Sequence, residues 1–327
     1  MSETKKILFR CDQNEFSGFG HFSRCLNLAR HFAIGNKFKV SFLGNYSDFA
    51  IELLNKYEIS YKNIEEKKFE KFETEIFSQH NYVLFDSYFI DQDYINKVSR
   101  LSSKSIFIDD TCELDFTDID LVINFRIDAD KMFSYSAKNQ ALGQEYFIYK
   151  PEFKAIRKNF VPKNKVEKLV LFFGGMNLFN TIYETISQLI YDIDSSIEVF
   201  VITNQKIKFK NSNVTILPLT FEIEKYLEDT DLIINGGGLI KYEGIFCKIP
   251  SATISSTQLQ FDDTCILESK GILCNLGFMN KIGNTDLKKR LKELIETPKL
   301  RYEIFENSEN IFSIDSINNI IKKINKI

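Results

Sequence analysis

Residues 7–34 have the sequence ILFRCDQNEFSGFGHFSRCLNLARHFAI. The stretch begins with an apolar run at Ile7–Cys11, continues through a loop that contains glycine, and ends in a helical pattern over His21–Ile34. An apolar run, a glycine-containing loop and a helical pattern in this order indicate a strand–loop–helix unit of an α/β protein.

Similar units follow along the first half of the chain. The runs Val83-Leu84-Phe85 and Ile106-Phe107-Ile108 are apolar at every position, which is typical of strands buried on both faces of a parallel sheet. The predicted strands are Ile7–Cys11, Phe38–Leu43, Tyr82–Asp86, Ser105–Asp109 and Leu121–Asn124. The predicted helices are His21–Ile34, Asp48–Tyr57, Glu66–Ser78 and Asp91–Leu101.

A second alternating series begins after Lys150–Lys165, a segment with two prolines that is typical of a domain junction. Its predicted strands are Leu169–Phe173, Glu198–Ile202, Val214–Leu217, Leu232–Asn235, Ala252–Ile254 and Ile272–Asn275. Its predicted helices are Phe179–Tyr191, Ile223–Leu227, Ile240–Cys247, Asp262–Ser269, Thr285–Glu296 and Ile314–Ile324. The sequence therefore predicts two doubly wound, Rossmann-like α/β domains that face each other across a cleft.

We expect the domains to cover residues 1–155 and 156–327, with a hinge near residue 155 and the last helix packing back on the first domain.

The composition argues against several classes of partner and site. The 327 residues carry a formal net charge of -3, which argues against a nucleic-acid partner. The six cysteines form no C-x-x-C pair, and with three histidines they predict no metal site. No apolar run approaches the roughly 18–20 residues of a membrane span, and no signal peptide is apparent, so we expect a cytoplasmic protein. No obligate protein partner is evident.

The loop after the first strand holds the first candidate site. His21 follows Gly20 at the expected start of a helix, where free N–H groups favour an anion and the helix dipole favours a neutral imidazole. Such an imidazole can take a proton from water or from a hydroxyl group. The alternative is a turn histidine without a chemical role.

Carboxylates follow two further strands. Asp86 could orient His21 or a substrate hydroxyl, and Tyr88 could line the cleft. The alternative is a helix cap followed by a packed aromatic ring. Asp109 and Asp110 could share a proton or order a loop, and helix capping is again the alternative.

Glycines of the second half indicate a nucleotide site. Gly174 and Gly175 follow one strand, with Asn177 close behind. Gly237 and Gly238 follow another strand and precede a helix that carries Glu243, and the order of strand, glycines and helix suits a diphosphate. Glu243 would accept hydrogen bonds from ribose hydroxyls.

Together these motifs resemble the UDP-sugar hydrolases of pseudaminic acid biosynthesis, which act on UDP-2,4-diacetamido-2,4,6-trideoxy-β-L-altropyranose and themselves resemble GT-B glycosyltransferases. The resemblance covers roughly residues 5–275. The positions that carry it are Arg10, Asp12, Gly18, Gly20, His21, Arg24, Leu28, Ala29, Asp86, Tyr88, Asp109, Asp110, Gly143, Tyr146, Glu152, Phe153, Arg157, Gly174, Gly175, Asn180, Gly237, Gly238, Glu243, Pro250, Gln260 and Gly271.

The resemblance implies a GT-B-like fold and a metal-independent hydrolase without a cofactor. His21 would activate water, which attacks the anomeric carbon of the UDP-sugar with inversion and releases UDP. The implied substrate-binding residues are Arg10, Asp12, Gly20, Arg24, Asp86, Tyr88, Gly174, Gly175, Asn177, Gly237, Gly238, Leu239, Glu243 and Gln260.

The chain also departs from the family pattern. Leu239 and Ile240 stand where the family has hydroxyl residues, Asn177 where it has Asp, and Leu259 where it often has Asn. We therefore expect backbone N–H groups, with Lys241, to bind the diphosphate. Two alternatives stay open: a GT-B glycosyltransferase that uses a UDP-sugar donor, and a nucleotide-sugar binding protein without catalysis.

Overall fold

The computed structural model describes residues 4–17, 19–34, 37–65, 69, 71–174, 180–279 and 281–327, with Asn180 described by its backbone alone. Its contacts divide the chain into two units. The first unit consists of Met1–Pro151 and Ser313–Ile327, and the second of Glu152–Phe312. The hinge expected near residue 155 falls inside a helix, Phe153–Asn159.

Strands and helices alternate through both units. The strands are β1 (Lys6–Arg10), β2 (Lys39–Gly44), β3 (Ser60–Asn63), β4 (Tyr82–Phe85), β5 (Lys104–Ile108), β6 (Leu121–Asn124), β7 (Gln140–Leu142), β8 (Lys168–Phe172), β9 (Glu198–Ile202), β10 (Val214–Leu217), β11 (Leu232–Asn235), β12 (Ser251–Ser255) and β13 (Cys274–Phe278). The helices are α1 (Gly20–Ala33), α2 (Asp48–Lys56), α3 (Thr74–Phe77), α4 (Gln92–Val98), α5 (Ala129–Met132), α6 (Phe153–Asn159), α7 (Asn180–Ile193), α8 (Glu224–Leu227), α9 (Leu239–Cys247), α10 (Gln258–Ser269), α11 (Asn284–Glu296), α12 (Pro298–Ser308) and α13 (Ser316–Ile324), and a 3-10 turn covers Gln144–Tyr146.

Each unit is built on one parallel sheet. In the described residues, the first sheet has the order β3-β2-β1-β4-β5-β6-β7 and the second the order β10-β9-β8-β11-β12-β13. The pairs are parallel throughout, with Arg10 of β1 beside Leu43 of β2 on one side and Phe85 of β4 on the other. The strand order reverses between β1 and β4 and again between β8 and β11. Two doubly wound α/β sheets are thus confirmed as the fold class.

Apolar side chains from both sheet faces form the cores. Every residue of β4, β6, β11 and β12 is buried. One hydrophobic cluster in the first unit includes Val83 and Phe107, and one in the second includes Leu171 and Ile234. Helices cover both faces of a parallel sheet, so its strands are apolar at successive positions rather than at alternate ones.

The last helix, α13, belongs to the first unit. The Ser316 hydroxyl donates to the Phe147 carbonyl at 2.7 Å, and Lys323 Nζ donates to the Gln140 carbonyl at 2.8 Å. Ile317, Ile320 and Ile324 are buried along one side of the helix. These apolar residues at helical spacing hold α13 against the unit.

Several elements differ from the predicted ones. The helix predicted over Glu66–Ser78 is wrong in extent: residues 66–68 and 70 lie outside the described residues, and α3 covers only Thr74–Phe77. Phe69 has a left-handed φ of 53°, and its ring packs 3.8 Å from the Arg10 guanidinium. A left-handed residue interrupts a helix, and the contact with Arg10 is a tertiary interaction that local sequence cannot show.

In the part of the chain that the structure describes, five further elements were not predicted: β3, β7, α5, α6 and α12. The strands β3 and β7 are short and partly polar edge elements, and α12 begins directly at Pro298 after α11 ends. The strand predicted at Ile272–Asn275 lies later in the chain, as β13 (Cys274–Phe278). Among the described helices, none is long and apolar enough to span a membrane.

Candidate active site

The candidate residues of each unit follow the strands at which that unit's sheet order reverses. Asp12 follows β1 and Asp86 follows β4 in the first sheet. Gly174 follows β8 and Gly237 follows β11 in the second. Ligands of open α/β sheets bind beyond the carboxyl ends of strands at such a point. Each unit therefore has a candidate site of its own.

His21 and Asp86 form a buried pair in the first unit. The Nδ1 atom of His21 lies 2.6 Å from Oδ1 of Asp86. Asp86 has no exposed surface, and His21 has 9% of its surface exposed. A contact this short to a carboxylate assigns the proton to Nδ1, which donates to Asp86 and leaves Nε2 as the basic nitrogen. The sequence interpretation that Asp86 could orient His21 agrees with this geometry.

Arg24 holds Asp86 through two parallel hydrogen bonds. Its Nε and one terminal nitrogen each donate to an oxygen of Asp86 at 2.6 Å, and its other terminal nitrogen donates to Asp110 Oδ2 at 3.2 Å. Burial acts to raise the pKa of Asp86, but Arg24 and His21 outweigh it and leave that pKa below its ordinary value. Asp86 is therefore an ionised carboxylate that fixes the imidazole.

Asp86→Asn should lower the free energy of unfolding by about 3–5 kcal/mol at neutral pH, because the buried Arg24 loses its bidentate partner. The folded-state pKa of Asp86 is depressed, so its stabilisation is complete above the unfolded value of about 3.9 and is lost as pH falls through the folded value. Urea unfolding across this range should show the difference between wild type and variant shrinking below about pH 4. A difference that stays constant would contradict the ionised pairing.

Tyr88 lies beside the imidazole. Its ring meets the His21 ring edge-on, with centroids 4.4 Å apart, and 61% of the Tyr88 surface is exposed. Its hydroxyl donates to Asp110 Oδ2 at 3.0 Å. Partial burial and the Asp110 carboxylate raise the pKa of Tyr88, so the phenol stays protonated and acts as a donor. Tyr88 thus presents an exposed aromatic face next to the candidate base.

The consecutive carboxylates after β5 have separate roles. Asp109 accepts from the backbone N–H groups of Thr111 and Cys112 at 2.8 and 3.1 Å, which fits the loop-ordering interpretation. Asp110 instead contacts Arg24 and Tyr88. Sequence analysis did not include Asp110 among the substrate-binding residues, although it noted that Asp110 follows a predicted strand.

Arg10 and Asp12 lie beneath the surface. They bond each other at 2.6 Å, and Asp12 also accepts from the Asn45 backbone N–H at 2.9 Å. Neither residue exposes more than 1% of its surface. In this structure they hold the start of the β1–α1 loop, and contact with substrate stays a prediction for both. Gly20 begins α1 with open space around it, so close packing does not require glycine there.

The turn between β11 and α9 is the candidate diphosphate site of the second unit. Gly237 has a φ of 84°, and Asn235 Oδ1 accepts from its N–H at 3.1 Å and from Thr253 at 2.9 Å. Among the described residues, the buried Nδ2 of Asn235 has no acceptor. Gly238 precedes α9 without a side-chain cap, so the N–H groups of Leu239 and Ile240 are available to an anion, whereas the Lys241 N–H donates to the Gly238 carbonyl at 3.2 Å.

Neighbouring side chains support this turn. Gln260 packs against Gly237, and its Oε1 accepts from the backbone N–H and the hydroxyl of Ser256 at 3.0 and 2.9 Å. Glu243 lies half-buried on α9. Lys241, expected to help bind the diphosphate, has a buried side chain that is paired with Asp263, and its role in binding stays a prediction.

The turn after β8 is only partly described. Gly174 has a left-handed φ of 88°, and a Cβ there would meet no atom within 4 Å. Gly175 and Asn177 lie outside the described residues. No group of three potential metal-binding side chains occurs in the described part of the chain.

Comparison with known proteins identifies the architecture. No family model matches the chain. An uncharacterized protein of Methanocaldococcus jannaschii is 23% identical, across 95% of this chain and 68% of that protein. The spinosyn forosaminyltransferase SpnP superposes with a TM-score of 0.68 at 12% identity, over 99% of this chain and 100% of that one. The S. aureus MnaA–UDP complex gives 0.66 at 12% identity, over 98% and 96%. The fold is GT-B.

The GT-B likeness covers nearly the whole chain. At 12% identity it establishes the fold and not the reaction, since one fold carries many activities. The choice of reaction therefore depends on the residues at the two candidate sites.

Proposed function

We propose that this GT-B protein is a UDP-sugar hydrolase that releases UDP from a UDP-2,4-diacetamido-2,4,6-trideoxyhexose in nonulosonic acid biosynthesis. The observation that carries the proposal is the bond between His21 Nδ1 and the ionised Asp86, which leaves Nε2 basic at the first turn of α1. A carboxylate–imidazole pair of this kind is suited to take a proton from water.

The chemistry needs one proton transfer and one displacement. Water gives a proton to His21 Nε2 while its oxygen bonds to the anomeric carbon. The bond from that carbon to the diphosphate oxygen breaks, its electrons leave with UDP, and the configuration inverts. Asp86 stabilises the imidazolium that forms. UDP is a good leaving group when its charge is bound, so no covalent intermediate is needed.

The second unit supplies groups suited to the UDP moiety. The N–H groups of Leu239 and Ile240 begin α9 and have no acceptor within that helix, and Nδ2 of Asn235 has no acceptor among the described residues, so a diphosphate would satisfy these donors. Leu239 and Ile240 would contribute only their N–H groups. Glu243 is an acceptor suited to ribose hydroxyls. We expect Gln260 to act through Gly237, since it packs on that turn.

The narrower substrate class comes from the sequence resemblance. The motif around Gly20, His21 and Arg24, followed by Asp86 and Tyr88, is the most specific part of it. The geometry supports that motif, since His21, Arg24, Asp86 and Tyr88 meet in one cluster.

The decisive experiment incubates the protein with UDP-2,4-diacetamido-2,4,6-trideoxyhexoses of different stereochemistry, without any acceptor alcohol, and measures free UDP. We expect UDP and a free sugar of initially inverted anomeric configuration. UDP-N-acetylglucosamine, which lacks the 4-acetamido and 6-deoxy groups, is the matched control for substrate class. UDP binding without UDP release from any of these sugars would contradict the proposal and favour a binding protein.

A glycosyltransferase is the second candidate. The spinosyn transferase has the same fold. In the first unit, Phe16, Phe49 and Tyr88 are exposed aromatic residues of a kind that can bind an apolar acceptor. The same incubation with and without added acceptor alcohols distinguishes the reactions: a transferase forms the glycoside only with acceptor, whereas a hydrolase releases UDP at the same rate without one.

A further inference from the structure

Asp110 closes a ring of contacts around the candidate base. Tyr88 donates to Asp110 Oδ2 at 3.0 Å, and Arg24 donates to the same oxygen at 3.2 Å. Arg24 also holds Asp86, and Asp86 holds His21. The ring is completed by the edge-on contact of His21 with Tyr88 at 4.4 Å between centroids. A carboxylate from β5, a strand that carries neither the base nor its partner, is thus tied into the site.

The guanidinium of Arg24 contacts both Asp86 and Asp110, so Asp110 is electrostatically coupled to the His21–Asp86 pair. One positive charge on Arg24 serves two carboxylates, Asp86 with no exposed surface and Asp110 with 19% of its side chain exposed. Charges in a poorly hydrated site interact more strongly than in water. If Asp110 loses its charge, it no longer offsets part of the positive charge of Arg24, and the full charge of Arg24 then acts on Asp86 and His21.

We infer that Asp110 is a positioning residue that sets the proton affinity of His21 through Arg24. The inference rests on the proposed function, in which His21 takes a proton from water. Asp110 does not contact His21, so it acts by charge and by holding Arg24 and Tyr88 rather than by touching the reacting atoms.

The direction of the effect follows from the groups around the imidazole. Charged and titratable side chains reach it or its partners from α1, from the ends of β1, β4 and β5, and from the segment after β6: Arg24, Cys25, Asp12, Asp86, Tyr88, Asp110, and Arg126, which donates to the Asp110 carbonyl. The carboxylates favour the imidazolium and Arg24 opposes it. Neutralising Asp110 removes a negative charge that favours the imidazolium. It also leaves more of the positive charge of Arg24 uncompensated, and that charge opposes the imidazolium. Both effects make His21 lose its proton at lower pH.

The test is an NMR titration of the histidine rings in wild type, Asp110→Asn and Asp118→Asn. Asn keeps an oxygen that can accept from Tyr88 and Arg24, so the change removes the charge and preserves the shape. Asp118, an exposed residue of the same β5–β6 loop, is the matched control. The chain has three histidines, so His31 and His80 serve as internal references and His21→Asn assigns the third signal.

Asp110→Asn should move the His21 titration midpoint down by about half a pH unit or more, with His31 and His80 unchanged. The acidic limb of the kcat/KM profile should move in the same direction, and UDP affinity should not change. Asp110→Glu should restore part of the shift. If Asp110→Asn does not fold, Asp110→Ser, smaller and neutral, provides the same test.

An unchanged His21 midpoint, or an equal shift in Asp118→Asn, would overturn the inference. The ring titration does not depend on turnover. A protein that hydrolyses no UDP-sugar but shows the shift would refute the proposed function and leave the role of Asp110 on the histidine intact. Hydrolysis without the shift would refute the role of Asp110 alone.

Discussion

His21→Asn should lower the rate of UDP release by about a hundredfold to ten-thousandfold, the usual contribution of a general base. The Asn side chain can still donate to Asp86, but its amide cannot take up a proton at neutral pH. The affinity for UDP should stay within about twofold, because the groups proposed to bind UDP lie on the second unit. Single-turnover kinetics with a UDP-2,4-diacetamido sugar, together with calorimetry using UDP, separates the two quantities.

His31→Asn is the matched control. His31 lies on the same helix, α1, and is buried to a similar degree, but its Nε2 is bonded to the Tyr149 carbonyl at 2.9 Å. It lies away from Asp86, so the control should keep near-normal turnover even if its stability falls. Equal losses in the two variants would mean that α1 had been disturbed as a whole, and near-normal turnover in His21→Asn would remove His21 from the reaction.

The interior strands could be predicted from sequence because their environment is uniform. Leu121–Asn124 and Leu232–Asn235 are buried at every residue, and sequence analysis predicted both with their observed bounds. Edge strands lack this signal: β3 has the sequence SYKN and is mostly exposed. A buried strand can be recognised from its apolar content. An edge strand instead forms because the adjacent strand provides hydrogen-bonding partners.

The candidate site could be predicted only in part, because its contacts join distant positions. His21 was found from a local motif, but its contact with Asp86 spans 65 residues and that of Arg24 with Asp110 spans 86. An Asp after a strand suits capping as well as catalysis, so the sequence left both interpretations open for Asp86, Asp109 and Asp110. The motif also could not show that the side chains of Arg10 and Asp12 are buried, because burial depends on the packing of the whole unit.

Gly237→Ala should weaken UDP binding by about tenfold or more, whereas Gly238→Ala should have little effect. Gly237 has a left-handed φ of 84°, which costs an L-residue about 1–2 kcal/mol, and 1.4 kcal/mol corresponds to a tenfold change in affinity. A Cβ at Gly237 would also lie 3.2 Å from the side chain of Gln260, which is held by Ser256. Relief of this strain would turn the N–H groups at the start of α9 away from the diphosphate.

Gly238 is the neighbouring residue of the same turn and provides a stringent control. Its φ is -75°, and a Cβ there would meet no atom within 4 Å, so alanine fits without strain. Calorimetry with UDP measures both affinities, and urea unfolding establishes that both variants are folded. Equal affinities in the two variants would mean that the conformation of this turn does not govern nucleotide binding, and the diphosphate would then have to be bound elsewhere on the protein.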